Sequence, residues 1–590
     1  SVAATQVFRT TAFPMLTGTL VMIAGFIPVG FAASSAGEYC YSLFVVVLTA
    51  LLSSWLVAVL FSPLTGVWLL PEQHSHQSHK HSFFHRHYTR LLDRVMQHRR
   101  KTLGCALAIL ILSGGGALLM QGEFFPASDR PELLVSLTLP QNVSQAQTHR
   151  DVLKFEAKLR DNPDIDHYSS YIGSGAVRFY LPMDVLLQKE NIAQLVVVAK
   201  NEAARNRLQK QLEQILSKDF STLTTRVSTL ELGPPVGWPV RYRVSGPDNT
   251  RVRELATQLA GMIARNPDTR GVNLTSGEPE RVIRLRVDQT QARATGMTSQ
   301  SLAGTLATLF SGTTVTTLRD RNRQIDVVLR GNEASRQNPA LLNALMLTSS
   351  TGNKVPLGQV ATPEWTLDDP VIWRRQRLPF ITVQSDTAPG VRAETVSSAL
   401  SPVVAGFRES LPPGYSVEEG GVVVESEKGN SSVYAVLPVT LMVMLLLLMI
   451  QLQRFSSMLL ALLMAPFGLP GIVVAMLPFG IPMGFVALLG IIALAGMIIR
   501  NAVILISEVD VGMKNGFTAD EAIKVAALHR SRPIMLTASA AILGMLPIAR
   551  DVFWEPMAFA IIGGLLSATL ATLTLLPAAI SLIFHWKPYP

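Results

Sequence analysis

The sequence predicts a polytopic α-helical membrane protein with a large α+β region outside the bilayer. Three observations predict it. Of 590 residues, 48% are hydrophobic and only 16% are charged, where a soluble protein carries about 25% charged residues. Apolar runs long enough to span a bilayer, about 20 residues each, recur at eight places: 12–33, 41–62, 103–120, 434–452, 457–478, 484–507, 533–550 and 556–584. Between the third and the fourth, residues 122 to 432 have ordinary soluble composition.

Charge sets the orientation. The net charge of +9 is concentrated in short segments beside apolar runs, where it reports membrane sidedness rather than nucleic-acid binding. Arg90, Arg94, Arg99, Arg100 and Lys101 precede the third run; Arg454 lies between the fourth and fifth; Lys514, Lys524, Arg530 and Arg532 follow the sixth. All fall on one side if each run crosses once, and that side is cytoplasmic. The 122–432 region therefore lies outside the inner membrane, in the periplasm of a Gram-negative cell. Cys40 and Cys105 lie in or at the end of apolar runs and suggest no disulfide framework. The chain begins at Ser1 with no signal peptide before its first apolar run, which predicts an internal cut in a longer protein, or a processed or partial product.

Within the soluble region, Leu133–Leu139 alternates as a strand, Gln145–Arg160 has helical spacing with Val152, Phe155 and Leu159 on one side, and Tyr168–Ile172 reads as a second strand. A similar unit runs through Val240–Val244, the helix 249–265 and Val272–Leu274. Another runs through Pro379–Gln384, the helix 391–411 and Tyr415–Glu418. Repeated β-α-β units with short strands predict ferredoxin-like sandwiches. Residues 288–370 read as an insertion with its own helix (299–309) and strands, Ile325–Leu329 among them.

Few motifs carry chemistry. His74, His76, His79, His81, His85 and His87 crowd one cytoplasmic loop. Their irregular spacing and interleaved Ser, Gln and Lys fit a solvated linker better than a metal site. No His-Glu-x-x-His, Gly-x-Ser-x-Gly or Walker loop is present, so no enzyme, no cofactor and no ATP site is predicted. Met183, Met262, Met297 and Met346 are scattered over different elements, as gap-filling residues are.

The exception is Arg500-Asn501, about sixteen uncharged residues into the sixth run. An arginine at membrane depth costs roughly 2.5–3.5 kcal/mol on insertion scales unless paired or hydrated, and such residues mark ion pathways. The plainer roles are a staple between helices or a snorkelling cation. The seventh run opens at Arg532-Pro533 and carries Thr537 about one turn inside; Arg530 precedes it. A fixed cation, an amide and a hydroxyl on neighbouring helices suit a carboxylate that gains and loses a proton. No run carries an acid near mid-depth: Glu508 and Asp510 lie at or beyond the end of the sixth. The proton acceptor of such a switch is missing from this chain.

The chain resembles the C-terminal three-fifths or so of the inner-membrane subunit of resistance–nodulation–cell division (RND) efflux pumps. The resemblance rests on Ala12-Phe-Pro-Met-Leu-Thr-Gly, Gly25-Phe-Ile-Pro-Val-Gly-Phe, Phe124-Phe-Pro-Ala-Ser-Asp129, Val287-Asp-Gln-Thr-Gln-Ala-Arg-Ala-Thr-Gly-Met297, Met497-Ile-Ile-Arg-Asn-Ala-Val and Arg532-Pro-Ile-Met-Leu-Thr537, in that order. It implies that residues 1–71 hold two membrane helices (family spans five and six), 72–101 a His-rich cytoplasmic linker and 102–121 span seven. It further implies a periplasmic porter subdomain at 122–233, a second at 234–281 plus 373–425, a docking subdomain at 282–372, and spans eight to twelve at 426–590.

By the same resemblance, Arg500 stands where many members carry a relay lysine, Asn501 and Thr537 are its polar neighbours, and Arg530 is a basic residue at the cytoplasmic mouth. The family's paired aspartates belong to a span this sequence does not contain, so the N-terminal half is read as missing. The segment matching the substrate-lining strand and Gly-rich loop is Tyr168-Ser-Ser-Tyr171-Ile-Gly173-Ser-Gly175-Ala-Val-Arg178-Phe179. Tyr171, Gly173, Gly175, Arg178 and Phe179 are its candidate contacts. Ser and Ala replace the Phe residues that would cage bulky apolar drugs.

The implied function is proton-driven export of amphiphilic toxic compounds by a homotrimer in the inner membrane of a Gram-negative cell. Its partners would be a periplasmic adaptor protein, an outer-membrane channel, the lipid bilayer, protons and small-molecule substrates, with no nucleic acid and no bound metal. Three alternatives stand beside it: a heavy-metal exporter, an inactive truncated fragment acting as an interaction scaffold, and a membrane enzyme with a large external domain.

Overall fold

The computed structural model describes all residues except 1, 70–82, 121, 127, 234–235, 350–351 and 587–590. Among the described residues, seven helices are long and apolar enough to cross a membrane: Ser35–Gly66, Arg99–Leu118, Val422–Leu452, Phe455–Phe479, Phe485–Lys514, Ala519–Arg550 and Glu555–Ile583. The run at 12–33 is not one such helix. The Val2–Gly25 helix breaks at Phe26, and a five-residue helix, Ile27–Phe31, follows with Pro28 in its first turn. Proline has no N–H to continue the ladder, so the break falls just before it.

Phe485–Lys514 is the most enclosed of these helices. Its faces meet Val2–Gly25, Ala519–Met545 and Glu555–Trp586. Small residues set the closest approaches, as they do where van der Waals packing drives helix association in lipid. A Cβ on Gly496 would meet the Met22 backbone at 3.3 Å, and one on Gly25 would meet the Ile492 carbonyl at 3.3 Å. Gly471 and Gly563 let Leu469–Met476 and Glu555–Trp586 touch backbone to backbone, since a Cβ on either would collide with the other's carbonyl oxygen. Ser567 adds a hydrogen bond to the Phe467 carbonyl at 2.7 Å.

The soluble region holds two sheets of like topology. The first orders its antiparallel strands Ile165–Ile172, Ile192–Ala199, Glu132–Thr138 and Thr224–Thr229. The helices Gln145–Leu159 and Glu202–Asp219 cover one face, burying Leu133, Val135, Phe155 and Leu208 together. The second sheet is built the same way from Val240–Ser245, Thr269–Leu274, Leu378–Thr387 and Ser416–Gly421, extended at one edge by Trp373–Arg375. Each is a ferredoxin-like β-α-β-β-α-β unit.

The insertion leaves the second sheet between its second and third strands. It opens with Glu280–Val287 paired antiparallel to Ala361–Asp368, and has a core of its own around Met297, Leu302, Leu347 and Leu357. A hairpin, Thr313–Asp320 with Arg323–Leu329, projects from it with every residue exposed.

The two regions are joined at a polar and aromatic seam. Gly122–Glu123 pairs parallel with Met483–Gly484 at the start of the central helix. Phe125 stacks on Phe553 with ring centres 5.7 Å apart, and Phe124 meets Phe125 edge-on at 4.6 Å. Beside them the Glu394 carboxylate accepts from the Phe124 N–H at 3.0 Å, and Arg392 Nε lies 3.8 Å from Glu123. Burial pushes the Glu123 carboxyl up to about 7, against the opposing pull of Arg392 and with a smaller push from Glu394.

The stretch expected as a linker, 72–101, contains a helix. Residues 70–82, with His74, His76, His79 and His81, lie outside the described residues. Phe83–Gln97, with His85 and His87, is an amphipathic helix that buries Tyr88, Leu92, Val95 and Met96. Its apolar stripe follows the spacing of one helix face.

Candidate functional site

Arg500 sits on the central helix among buried Ile498, Ile499, Ala502 and Val503. Its stem lies against the bare backbone of Gly18, where a Cβ would stand 2.9 Å from Arg500 Cγ. Its Nη1 points at Met22 Sδ, 3.7 Å away, and a thioether is only a weak acceptor. Its Nε is buried and has no hydrogen-bond partner among the described residues. An unsatisfied buried donor on a charged group costs about 1–3 kcal/mol or more.

The other three relay candidates are not gathered around it. Asn501 is buried at 6% exposure. Thr537 is exposed and donates its hydroxyl proton to the Ile534 carbonyl of its own helix at 3.0 Å. Arg530 is engaged elsewhere: its Nε and Nη2 donate to Glu508 Oε2 at 3.2 and 2.6 Å. That pair marks the register of two antiparallel helices. Seven residues rise about 10 Å, so stepping from Glu508 to Asn501 and from Arg530 to Thr537 reaches the same depth. Asn501 and Thr537 are level with Arg500, and Arg530 lies about 10 Å nearer the helix ends. The sequence showed Glu508 only as an acid at the end of a run; its pairing with Arg530 was not legible there.

The substrate candidates cluster on one side of the first sheet. Tyr171 is near the end of its edge strand, half-buried beside Ala176 and Met183. Gly173 has φ +77° and donates its N–H to the Ile192 carbonyl at 2.8 Å. Gly175 passes Leu186 so closely that a Cβ would stand 2.9 Å from that side chain. Arg178 is exposed and folds back on the Leu181 carbonyl; Phe179 is 45% exposed.

None of these five lines the cavity of about 680 Å³ that lies between the two sheets. The same loop enters that cavity further on, at Pro182 to Leu187, opposite Trp238, Trp373 and Gln384. Its polar end is built by Arg226, which donates to Asp386 and to the Gly237 carbonyl, both at 2.9 Å, and stacks on Trp238 at 4.8 Å. Glu231 accepts from the Val236 N–H at 2.8 Å, and its burial raises the carboxyl above the ordinary range. The cavity thus offers flat aromatic faces beside charges of both signs. Sequence periodicity missed it because its walls come from strands far apart in the chain.

Among the described residues, no group of three or more His, Cys, Asp or Glu side chains is placed to hold a metal ion. Met183 and Met297 are buried in separate cores, and Met262 and Met346 are exposed.

The sequence matches the AcrB/AcrD/AcrF family model over residues 2–584. It is 24% identical over 593 residues to the multidrug export protein AcrF of Escherichia coli (strain K12), covering 95% of this chain and 56% of that protein. It is 25% identical over 599 residues to the cobalt-zinc-cadmium resistance protein CzcA of Cupriavidus metallidurans, covering 96% and 55%. To the toluene efflux pump membrane transporter TtgE of Pseudomonas putida it is 25% identical over 598 residues, covering 95% and 55%. The fold superposes on a crystal structure of a heavy metal efflux pump with a TM-score of 0.78 at 23% identity, over 98% of this chain and 58% of that one. The chain spans a little over half the length of the curated relatives it matches.

Proposed function

Since the chain belongs to the AcrB/AcrD/AcrF family of RND efflux transporters, we propose that it supplies the fixed counter-charge and part of the substrate path of a proton-driven export pump. Members of this family are transporters rather than enzymes, and the chain is a multi-pass inner-membrane protein with a large extramembrane region. The observation that carries the reading is Arg500: a buried guanidinium on the most enclosed helix, whose Nε has no partner among the described residues and whose Nη1 points at a thioether. Arginine does not deprotonate at any working pH. A proton must therefore bind a carboxylate that meets this cation. Protonating that carboxylate frees the guanidinium, deprotonating it restores the pair, and the central helix shifts between the two. In this reading Asn501 and Thr537 hydrogen-bond at the same depth, and Arg530 with Glu508 guards the cytoplasmic end.

The cavity between the sheets supports amphiphilic toxic compounds as cargo, because Trp238 and Trp373 offer apolar faces and Arg226 and Glu231 offer charge. Tyr171, Gly173, Gly175, Arg178 and Phe179 then form an outer approach to it. The exposed hairpin at 313–329 supports a homotrimer, since it carries Val315, Leu318, Ile325 and Val327 into solvent. An adaptor protein and an outer-membrane channel complete the assembly. Heavy-metal cations are the second cargo reading, drawn from the likeness to CzcA.

The test is export from a pump-deficient Gram-negative host carrying the complete pump. Arg500→Ala should abolish proton-coupled dye efflux with unchanged protein level, and Arg500→Lys should retain it. Normal efflux by Arg500→Ala overturns the reading. Protection against cobalt, zinc or cadmium but not against dyes and detergents would replace the amphiphile with a metal cation.

A further inference from the structure

A second large cavity lies at the opposite end of the molecule. It holds about 970 Å³ and runs between the Phe83–Gln97 helix, Arg99–Leu118 and Glu555–Trp586. We propose that it binds an anionic phospholipid of the cytoplasmic leaflet, with the phosphate on Arg90, Arg94 and Lys101 and an acyl chain along Ile109, Phe467 and Leu570. This site is independent of the transport reading.

The rim is cationic and unspent. Arg90, Arg94 and Lys101 line the cavity, are exposed, and make no ion pair among the described residues. The one acid in the lining, Asp93, is already held by Lys524 at 2.7 Å, so the rim stays positive. An anionic headgroup gains about fivefold in affinity for each cation near the membrane surface. Three cations give a preference of about a hundredfold over a zwitterionic lipid.

The rim is also fixed in place. A basic amphipathic helix ordinarily lies with its apolar face in the bilayer. Here that face is packed on protein, with Leu92 at 1% exposure and the Tyr88 hydroxyl donating to the Leu573 carbonyl at 2.9 Å. Arg99, at the start of the next helix, donates to Ser581 Oγ at 2.6 Å. These contacts hold the cations over the groove instead of leaving them to slide along a lipid surface.

The depth fits a lipid tail. From Lys101 to Ile109 the helix descends about 12 Å, most of one leaflet's hydrocarbon depth of about 15 Å. The lower walls are apolar: Ile109, Phe467, Pro470, Leu570 and Ala571. A free phosphate would satisfy the rim and leave this trough without an occupant.

Cys105 lines the groove and is exposed, whereas Cys40 is buried, so Cys105 is a built-in reporter. The experiment measures its alkylation by N-ethylmaleimide in the purified chain in detergent, with added phosphatidylglycerol, phosphatidylcholine or inorganic phosphate. Phosphatidylglycerol should slow labelling at least tenfold, and the other two should not. The triple variant R90Q/R94Q/K101Q should shift half-protection to about a hundredfold more phosphatidylglycerol. Leu570→Trp, which fills the trough and leaves the rim intact, should weaken protection by the lipid. Equal protection by phosphatidylcholine, equal protection by phosphate, or an unchanged triple variant overturns the proposal. Lipid-independent protection in the complete pump would show a protein segment in the groove and overturn it too.

Discussion

Arg530 spends two guanidinium nitrogens on one oxygen of Glu508. This pair joins the last turns of the central helix to the following one and puts Asn501 and Thr537 at about the same depth. The two side chains are 35% and 28% exposed, so the pair is worth about 0.5–1 kcal/mol. Arg530→Ala and Glu508→Ala should each lower the apparent melting temperature slightly. The charge swap R530E/E508R should recover most of the loss in a double-mutant cycle. Additive effects would mean that the two side chains are not coupled.

Gly18 leaves room for Arg500. Gly18→Val puts branched carbons where Arg500 Cγ and Cδ now lie, with Cβ itself 2.9 and 3.4 Å from them. The guanidinium must then leave Met22. In the complete pump this variant should depress dye export nearly as far as Arg500→Ala, with Gly18→Ala between the two. Full export by Gly18→Val would show that the position of Arg500 is not critical.

Glu123 supplies a pH dependence with a definite sign. Its folded carboxyl titrates at about 7, raised by burial from an ordinary value of 4.5. Below pH 4.5 the proton is bound in both states. Between 4.5 and 7 the unfolded chain loses its proton while the folded one keeps it, so stability falls as pH rises. Each pH unit in that window costs at most about 1.4 kcal/mol, and the slope ends above 7. Thermal unfolding of the solubilised protein from pH 4 to 8 checks this. Glu123→Gln should flatten the slope; an unchanged slope would assign it to other groups.

Gly563 and Gly471 meet without side chains between them. Gly563→Leu forces the two helices apart and should destabilise the membrane region by about 3 kcal/mol or more. Size-exclusion chromatography after detergent extraction would show aggregated protein. A monodisperse variant with normal melting would argue against tight packing there.

Much of the fold was legible because short-range rules govern it. The alternation through Leu133, Val135 and Leu137 and the helical spacing of Val152, Phe155 and Leu159 each point one face at a common core. The placement of Leu378–Thr387 between Val240–Ser245 and Thr269–Leu274 was not, since strand order depends on contacts made across more than a hundred residues. The Phe83–Gln97 helix was masked by its composition. Histidines and arginines suggested a solvated linker, although Tyr88, Leu92, Val95 and Met96 carried a helical period. At the candidate relay, Arg500 was conspicuous because a charge in an apolar run is costly. The turn of Thr537 toward its own backbone follows from local hydroxyl geometry that no spacing rule encodes.

The ribbon at the root of the insertion makes it a portable part. Glu280 faces Asp368 and Val287 faces Ala361, so the chain departs from the second sheet and returns to it side by side. Antiparallel partners stand about 5 Å apart, a distance that a tight turn closes. Residues 281–367 can therefore be cut out and replaced by a short loop, or exchanged for the corresponding piece of a relative, with the strand order of the parent sheet untouched.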